Sequence, residues 1–481
     1  MAKTQLKKWN GQNIDPNAQA DVNVQQVLTS GTHIASINDI PIYAPNGGGG
    51  GGEMSPDFLL PSNIYVLDGV QRNLWHQSLM NRWNPNNFYL QFKGTASYQR
   101  RTPLVASLKS GNTDGKTIVA NIVDYRTMTE GASKTSTIKV GTPNDANLSA
   151  IKVQFMGSST VQLLYFDTAM STYVSNYSYI GMRHKPNNNN VRHEGRGGAS
   201  LSSYANISTN ATGHYYPYWQ PSGNYRFWGV TDFWKYAKLH PDDAASTAAQ
   251  PDGSKPYYNG CYVPEVLAKF DNNGLLVSPQ NGDIMYFTSE SKYKIYNNGS
   301  WVDTTQGTYT WGFDYSKYLT MWGFDCPDLV CITLGANDFR NKSFPLDFAT
   351  WNATMEDLID SMKTANANIK IVICNQGPFG NYGKDGEPSL LMNYKMWLHM
   401  QDIITNFDNR QNENIYVLAQ GSEISAEYGF NPITTGDNIK VTDLYQGTEK
   451  LTIKGADIIH PTLSLPNMGV PIAAFLQYIR K

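Results

Sequence analysis

The sequence predicts an α/β layered domain built on a parallel sheet, with a small antiparallel β domain before it. Four runs are almost continuously apolar, as parallel strands covered on both faces are: 151–156, 328–334, 369–374 and 414–418. Segments with the apolar spacing of a helix alternate with these runs or close the chain: 350–365, 390–407 and 470–479. Alternation of strands and helices indicates an α/β layered domain.

The sequence of residues 55–149 predicts the small antiparallel β domain. Short runs rich in β-branched and aromatic residues are separated there by turn residues. The runs are 63–67, 87–92 and 117–123, and the turns lie at 111–115 and 141–145. One helical stretch is expected around 71–82.

The α/β domain, expected over residues 150–481, is interrupted by an insertion at about 220–321. Within the insertion, residues 282–301 contain two short aromatic strands around a turn and then Asn-Asn-Gly, which predicts a β-meander. The aromatic side chains of this segment could form a small core of its own or stack on sugar rings. The sequence leaves both interpretations open.

Residues 1–54 form a polar N-terminal segment that is rich in Asn and Gln and contains six consecutive glycines, Gly47 to Gly52. Polyglycine cannot pack a core and loses much entropy when it is ordered, so it predicts a flexible joint. Both a linker of artificial origin and the tether of an attachment segment would have this composition.

The composition argues against several classes of protein. The 481 residues have a net charge of −2 and 16% are charged, whereas a nucleic-acid-binding protein needs a clustered basic surface. No apolar run approaches ~18 residues, so no membrane span is expected. The N-terminus begins without the apolar region of a secretory signal.

The four cysteines do not form a framework of disulfides. Cys331 and Cys374 lie inside apolar runs, where reduced thiols behave as small hydrophobic groups. No Cys-x-x-Cys spacing or nearby His pair is present, so no metal site is expected.

Four segments place reactive side chains where the ligands of an open α/β sheet bind, beyond the carboxyl ends of strands. They are the Gly-Ser-Ser-Thr of 157–160, the glycine-rich 193–199, the Gly-Ala-Asn-Asp of 335–338, and 457–461 with an Asp and a His before the last helix. Taken alone, each segment could be an ordinary turn or loop.

The residue types in these segments suit nucleophilic catalysis. A serine after a glycine can begin a helix with its hydroxyl facing the cleft, and a glycine can bring its N–H close to a ligand oxygen. Asn337 can donate an N–H to a developing oxyanion. Asp457, three residues before His460, can orient the imidazole and favour the tautomer that accepts a serine proton.

In their joint order, the four segments resemble the sequence blocks of the SGNH (GDSL) hydrolase family of esterases and deacetylases. The resemblance covers about residues 150–481 without the insertion. It implies a three-layer α/β/α fold, hydrolysis of carboxylic esters and no cofactor. Residues 55–149 are similar to a domain that precedes the hydrolase domain in some members.

The resemblance also implies roles for individual residues. Ser159 takes the position of the nucleophile, His460 that of the general base and Asp457 that of the triad acid. The backbone N–H groups of Ser159 and Gly198 and the side chain of Asn337 would form the oxyanion hole.

The chain departs from the family pattern at two positions. The Gly-Asp-Ser of the family is Gly157-Ser158-Ser159 here, and His193 stands where an asparagine is usual. The missing carboxylate is not the triad acid, so catalysis stays feasible. Ser158 is an alternative nucleophile, although the spacing of the blocks favours Ser159.

The N-terminal segment resembles the attachment regions of bacteriophage tail and fibre proteins, above all at residues 28–45. This resemblance implies a virion protein that is made in the host cytoplasm without a signal peptide, joins other virion proteins through its N-terminal segment and assembles as a homotrimer. The leading hypothesis is an esterase that removes O-acetyl groups from a host surface polysaccharide. An inactive receptor-binding or structural virion protein, and a bacterial carbohydrate esterase unrelated to virions, are the alternatives.

Overall fold

A computed structural model describes residues 8–9, 12–13, 35–37, 40–42, 56–81, 88–102, 104–108, 111–124, 127–207, 215–239, 241, 261–375, 377–379, 390–424, 439–442, 449–452 and 465–481. The chain divides into two compact units, Met1–Pro56 and Asp57–Lys481. The described residues of the first unit form two antiparallel strand pairs: β1 (Lys8–Trp9) with β2 (Gln12–Asn13), and β3 (Ala35–Ile37) with β4 (Ile40–Ile42). The glycine run predicted as a joint lies outside the described residues.

The second unit begins with a β-rich section that forms two sheets. Its elements are β5 (Asn63–Leu67), β6 (Arg72–Trp75), α1 (His76–Leu79), β7 (Phe88–Lys93), β8 (Tyr98–Arg101), β9 (Val105–Leu108), β10 (Thr117–Asp124) and β11 (Thr129–Gly141). One sheet has the order β5-β11-β10-β7 and the other the order β6-β9-β8.

Two predictions for this section need correction. The section is not entirely antiparallel, because β5 runs parallel to β11. The chain builds the other strands between these two, so no hairpin requires them to be antiparallel. The helix expected around 71–82 is a strand over its first part. In β6 buried side chains alternate with half-buried ones, which is the period of a strand that pairs with β9.

A central sheet follows, with the order β18-β14-β15-β12-β23-β24-β25 and with β13 also paired to β12. The first part of the chain that builds it contains β12 (Ile151–Gly157), α2 (Ser159–Gln162), α3 (Asp167–Tyr173), β13 (Tyr177–Ile180), β14 (Arg183–Lys185), β15 (Asn188–Gly195) and α4 (Leu201–Tyr204). Strand β12 runs parallel to β13, β15 and β23.

The region predicted as an insertion contains a small sheet of its own. Its elements are β16 (Trp219–Pro221), β17 (Arg226–Val230), α5 (Thr231–Leu239), β18 (Cys261–Tyr262), α6 (Pro264–Leu267), β19 (Asp283–Phe287), β20 (Lys292–Asn297), β21 (Ser300–Thr304), β22 (Trp311–Phe313) and α7 (Tyr315–Trp322). Strands β19, β20 and β21 form an antiparallel meander beside β17. Strand β18 instead joins the edge of the central sheet.

The last part of the chain completes the central sheet. It contains β23 (Leu329–Thr333), α8 (Ala336–Phe339), α9 (Phe348–Ala365), β24 (Lys370–Cys374), α10 (Leu390–Phe407), β25 (Ile415–Leu418), β26 (Ile439–Thr442), β27 (Glu449–Thr452), α11 (Leu465–Met468) and α12 (Val470–Ile479). Strands β23, β24 and β25 are parallel neighbours, so the apolar runs do form a parallel sheet.

Apolar side chains cover both faces of the central sheet. Alternate residues of β23 and β24 enter two different clusters: Val330 and Ile371 pack with residues of α9 and α10, whereas Cys331 and Val372 pack with residues of α3 and α12. The sheet is therefore a layer between helices. Cys331 and Cys374 are fully buried free thiols, and burial raises the pKa of both.

Polar contacts join the β-rich section to the helices and strands near the end of the chain. The Asp408 carboxylate accepts from the backbone N–H and the hydroxyl of Ser62 at 2.6 and 2.7 Å. Arg72 and Glu423 form a buried ion pair with an N–O distance of 2.5 Å. Burial raises the pKa of the Glu423 carboxyl to about 7, against the opposing effect of Arg72. None of the helices in the described part of the chain is both long and apolar enough to cross a membrane.

Arg72→Met would leave the Glu423 carboxyl buried without its cationic partner, so that the carboxyl must bind a proton to stay in the interior. We expect the free energy of unfolding at neutral pH, measured by urea denaturation, to fall by about 3–5 kcal/mol. Lys93→Met is the control, because the Lys93–Glu130 pair is exposed and its loss should change the stability little. Equal losses in the two variants would contradict a structural role for the buried pair.

Candidate active site

The strand order of the central sheet reverses beside β12. From β12 the chain proceeds to β15 on one side, and it later returns to β23 on the other side and continues to β24 and β25. In parallel sheets, the crevice at such a reversal, beyond the carboxyl ends of the strands, is where ligands bind. Ser159 follows β12 and Asn337 follows β23, so both residues stand at this crevice.

Ser159 is the first residue of α2, and two glycines allow this helix to lie close to the strands. A Cβ atom on Gly157 would lie 2.5 Å from the Thr333 carbonyl oxygen and 2.6 Å from Cγ2 of Val161. A Cβ atom on Gly195, at the end of β15, would lie 2.4 Å from the backbone nitrogen of Gln162. Ser159 is half-buried, whereas Ser158 is 1% exposed.

A small pocket opens at the crevice. Its volume is about 10 Å³, room for one water molecule. The described residues that line it come from the ends of three neighbouring parallel strands, β12, β23 and β24: Ser158, Ser159, Thr160, Ala336, Asn337, Gly377, Pro378 and Phe379. The lining therefore combines hydroxyl and amide groups with an apolar wall formed by Pro378 and Phe379.

Gly198 lies in a tight turn beside Asn337. The backbone N–H of Ala199 donates to the carbonyl of Arg196 at 3.1 Å, and Gly198 at the third position has a φ of +74°. A positive φ at this position alone is that of a type II turn, which glycine adopts without strain. The Asn337 amide nitrogen donates to the Ala199 carbonyl at 2.9 Å, and its second N–H has no acceptor among the described residues.

Asp338 attaches the same turn to the end of β23. Its two carboxylate oxygens lie 2.9 and 3.1 Å from the backbone nitrogen of Leu201, where α4 begins. Burial raises the pKa of the Asp338 carboxyl to about 6, against the opposing effect of the backbone N–H groups that donate to it. Asp338 thus acts as an acceptor that aligns the loop after β15 with the loop after β23.

The segments behind the pocket are closely packed. The imidazole of His399 lies against Gly335, where a Cβ atom would be 1.8 Å from Cε1 of the ring. Burial lowers the pKa of His399 to about 3, so the ring is neutral and serves packing. On the apolar wall, the backbone N–H of Phe379 donates to the side chain of Asn393 at 2.7 Å.

The structure brings together part of the predicted catalytic group. Ser159 and Asn337 line one pocket, and Gly198 precedes the residue that the Asn337 amide contacts. Asp457 and His460 lie outside the described residues, so the predicted triad stays a prediction. Ser158, the alternative nucleophile, also lines the pocket but is almost fully buried.

The glycine-rich loop predicted for 193–199 begins later than expected. Residues 188–195 form β15, because the backbone pairs with β14 along its length and with β12 at its buried end. His193 is buried, and burial together with two neighbouring guanidinium groups lowers its pKa well below the usual range. Its Nδ1 accepts from the Gly195 N–H at 3.0 Å.

Three charged residues near the site were not predicted from the sequence to have a role there: Glu194, Arg196 and Asp338. The signal for Asp338 was its position directly after Asn337. The signal for Glu194 and Arg196 was the pair of opposite charges within a segment that otherwise reads as a loop. Among the described residues, no group of three or more His, Cys, Asp or Glu is placed to hold a metal ion.

No family model matches the sequence, and no curated protein matches it. Solved structures to which the chain is similar include a possible lipase from Chitinophaga pinensis, at 8% identity and a TM-score of 0.28, over 68% of this chain and 98% of that one. A family two carbohydrate esterase from Clostridium thermocellum, in complex with cellohexaose, has 12% identity and a TM-score of 0.19, over 73% and 82% of the two chains. A peptidoglycan O-acetylesterase has 12% identity and a TM-score of 0.27, over 69% and 92%.

Asp338→Asn should change how stability depends on pH. A carboxyl with a folded-state pKa of about 6, above its unfolded value near 3.8, binds its proton more tightly in the folded protein. The folded state is therefore favoured most below the unfolded pKa, and this contribution is lost as the pH rises towards 6. From pH 4 to pH 6.5, the free energy of unfolding of the wild type should fall relative to that of Asp338→Asn, by up to about 3 kcal/mol. Parallel curves in urea denaturation would contradict the shift.

Proposed function

We propose that this chain is a serine esterase of the SGNH type, with Ser159 as the nucleophile. The observation that carries the proposal is that Ser159 and Asn337 line one pocket at the place where the strand order of the sheet reverses. The half-buried hydroxyl of Ser159 can be reached from this pocket. A reactive hydroxyl and an amide donor at one crevice suit attack on a carbonyl group and stabilisation of the resulting oxyanion.

The proposed reaction has two steps. In the first, the Ser159 hydroxyl oxygen bonds to the ester carbonyl carbon while His460 takes the hydroxyl proton, and Asp457 stabilises the imidazolium. The carbon–oxygen bond to the alcohol then breaks, and His460 returns the proton to the leaving alcohol. In the second step, water attacks the acyl-serine, the acid leaves, and Ser159 regains its proton.

Charge develops on the carbonyl oxygen in both steps. The N–H groups of Ser159 and Gly198 and the free N–H of the Asn337 amide are the donors proposed for this oxyanion. Loss of one such donor typically costs about 3–4 kcal/mol in the transition state. The Ala199 carbonyl, by accepting the other N–H of Asn337, holds the amide in a single orientation.

The pocket favours a short acyl group. It has room for about one water molecule, and Pro378 and Phe379 form its apolar wall. A short acyl group such as acetyl is compatible with this space. We therefore propose O-deacetylation, with the O-acetyl groups of a host surface polysaccharide as the substrate.

We further propose that the chain is a bacteriophage tail or fibre protein that attaches through residues 1–54. The support is the resemblance of residues 28–45 to phage attachment regions, followed by the glycine run. Homotrimeric assembly is part of the same proposal. Mass spectrometry of purified particles should detect the chain, and its consistent absence would overturn the virion role without affecting the esterase role.

Ser159→Ala should abolish the hydrolysis of p-nitrophenyl acetate. We expect a loss of at least about 10³-fold in kcat, because removal of a triad nucleophile leaves only the oxyanion hole and binding. Ser158→Ala, in the adjacent buried serine, should keep kcat within about tenfold of wild type, since its hydroxyl would not form the acyl-enzyme. The measurement is the initial rate, with circular dichroism as the check on folding.

A fluorophosphonate should label wild type at Ser159, as located by mass spectrometry of peptides. A label on Ser158, or loss of activity in Ser158→Ala alone, would show that the neighbouring serine is the nucleophile. Background rates in wild type and in both variants would favour the alternative candidate, a virion protein that binds without turnover, for which the Gly-Ser-Ser sequence of 157–159 is the specific observation.

A further inference from the structure

An ion pair lies completely buried at the end of β15, directly before the turn that carries Gly198. The side chains of Glu194 and Arg196 both have 0% exposure, and their charged atoms are 2.8 Å apart. Taking two charges out of water is costly, and replacement by apolar side chains of similar size is often neutral or stabilising. The buried pair therefore needs an explanation other than general stability.

Further hydrogen bonds fix the Glu194 carboxylate from the opposite side. One of its oxygens, Oε1, accepts from the backbone N–H of Met182 at 2.6 Å and from the hydroxyl of Tyr318 at 2.7 Å. That hydroxyl accepts from the Gln154 amide at 2.8 Å, and the Gln154 carbonyl oxygen accepts from the Tyr315 hydroxyl at 2.7 Å. The carboxylate is thus bound to β12 and to α7 through a chain of buried polar groups.

The Arg196 guanidinium uses its fork of donors in three directions. Its Nε donates to the Tyr215 carbonyl at 2.7 Å, its Nη1 donates to the Glu194 carbonyl at 2.9 Å, and its Nη2 faces the Glu194 carboxylate. A lysine ammonium has no planar fork and cannot reproduce this set of bonds. The side chain of Arg196 consequently has one position.

The backbone of Arg196 connects this position to the site. Its N–H donates to the Gly157 carbonyl at 2.9 Å, at the end of the strand that precedes Ser159. Its carbonyl accepts from the Ala199 N–H and so closes the turn that has Gly198 at the third position. Any displacement of Arg196 would move this turn relative to Ser159.

We propose that Arg196, held by Glu194, is a positioning residue for the oxyanion hole. This role rests on the proposed esterase function. The guanidinium does not touch the substrate; it sets where the N–H of Gly198 points relative to Ser159. Preorganised donors stabilise an oxyanion best when they fit its position closely. A small shift of the turn therefore reduces the stabilisation of the transition state more than the binding of the substrate.

Arg196→Lys tests the role, because it keeps the charge and removes the fork. With p-nitrophenyl acetate, we expect kcat to fall by about 10²-fold while KM stays within about threefold of wild type. The affinity for an alkylboronic acid, which forms a tetrahedral adduct with a serine, should fall by a factor similar to that of kcat/KM. A merely structural role would not produce this split.

Arg226→Lys is the matched control. Arg226 pairs with the buried carboxylate of Asp283 at 2.7 Å, in the small sheet of the inserted region. This variant also loses a fork at a buried carboxylate, and we expect its kcat to stay within about twofold of wild type. The urea midpoints of both variants show how much stability each has lost.

Tyr318→Phe is the second variant, should Arg196→Lys fail to fold. It removes only the hydroxyl that holds the Glu194 carboxylate, and we expect kcat to fall by about threefold to tenfold with KM unchanged. If Arg196→Lys folds and its kcat is unchanged, the positioning role is overturned while the esterase function stands. If Arg196→Lys does not fold, an unchanged kcat in Tyr318→Phe has the same consequence. A wild type without hydrolysis would overturn the proposed function itself, and this role with it.

Discussion

The candidate site depends on the close approach of α2 to the strands on either side of β12. Gly157 and Gly195 make this approach feasible, because a Cβ atom on Gly195 would lie 2.4 Å from the backbone nitrogen of Gln162 in α2, and one on Gly157 would lie 2.6 Å from the Val161 side chain of the same helix. Without those contacts the helix would stand farther from the sheet and carry Ser159 away from Asn337. The pocket therefore follows from two positions that carry no side chain, rather than from the reactive residues themselves.

The order of the strands determines which loops lie next to Ser159. Because β15 and β23 lie on opposite sides of β12, the loops that follow these three parallel strands meet at one end of the sheet. The loop after β15 contributes the turn at Gly198, and the loop after β23 contributes Asn337. A hydrogen bond between the Asn337 amide and the Ala199 carbonyl joins the two loops, and Asp338 joins them a second time. The site is thus a junction of loops, each anchored at the end of a rigid strand.

Much of this architecture could be predicted from the sequence because apolar runs locate buried strands. The runs at 151–156, 328–334, 369–374 and 414–418 are confirmed as parallel strands with small changes at their ends. The helices at 390–407 and 470–479 are confirmed with the expected bounds, and the helix expected at 350–365 begins at Phe348. The predictions failed where pairing between distant segments decides the structure. Nothing local in 63–67 indicates that β5 runs parallel to β11, and residues 72–75 carry an arginine that reads as exposed although Glu423 neutralises it in the interior.

Pairing between distant segments also limits what can be predicted about the site, because a segment with buried charged residues has the same composition as a surface loop. Ser159 and Asn337 could be placed because each follows a strand. Residues 193–196 read as a polar loop, whereas 193–195 are the end of β15 and all four residues are buried. What distinguishes Glu194 and Arg196 is the set of partners that other segments supply: the carbonyl of Tyr215 and the hydroxyl of Tyr318. Tyr318 lies within the inserted region at 220–321, and Tyr215 lies shortly before it. The inserted region and its flanks therefore complete the polar network behind the turn, so the region should be regarded as part of the support of the site rather than as an appendage to it.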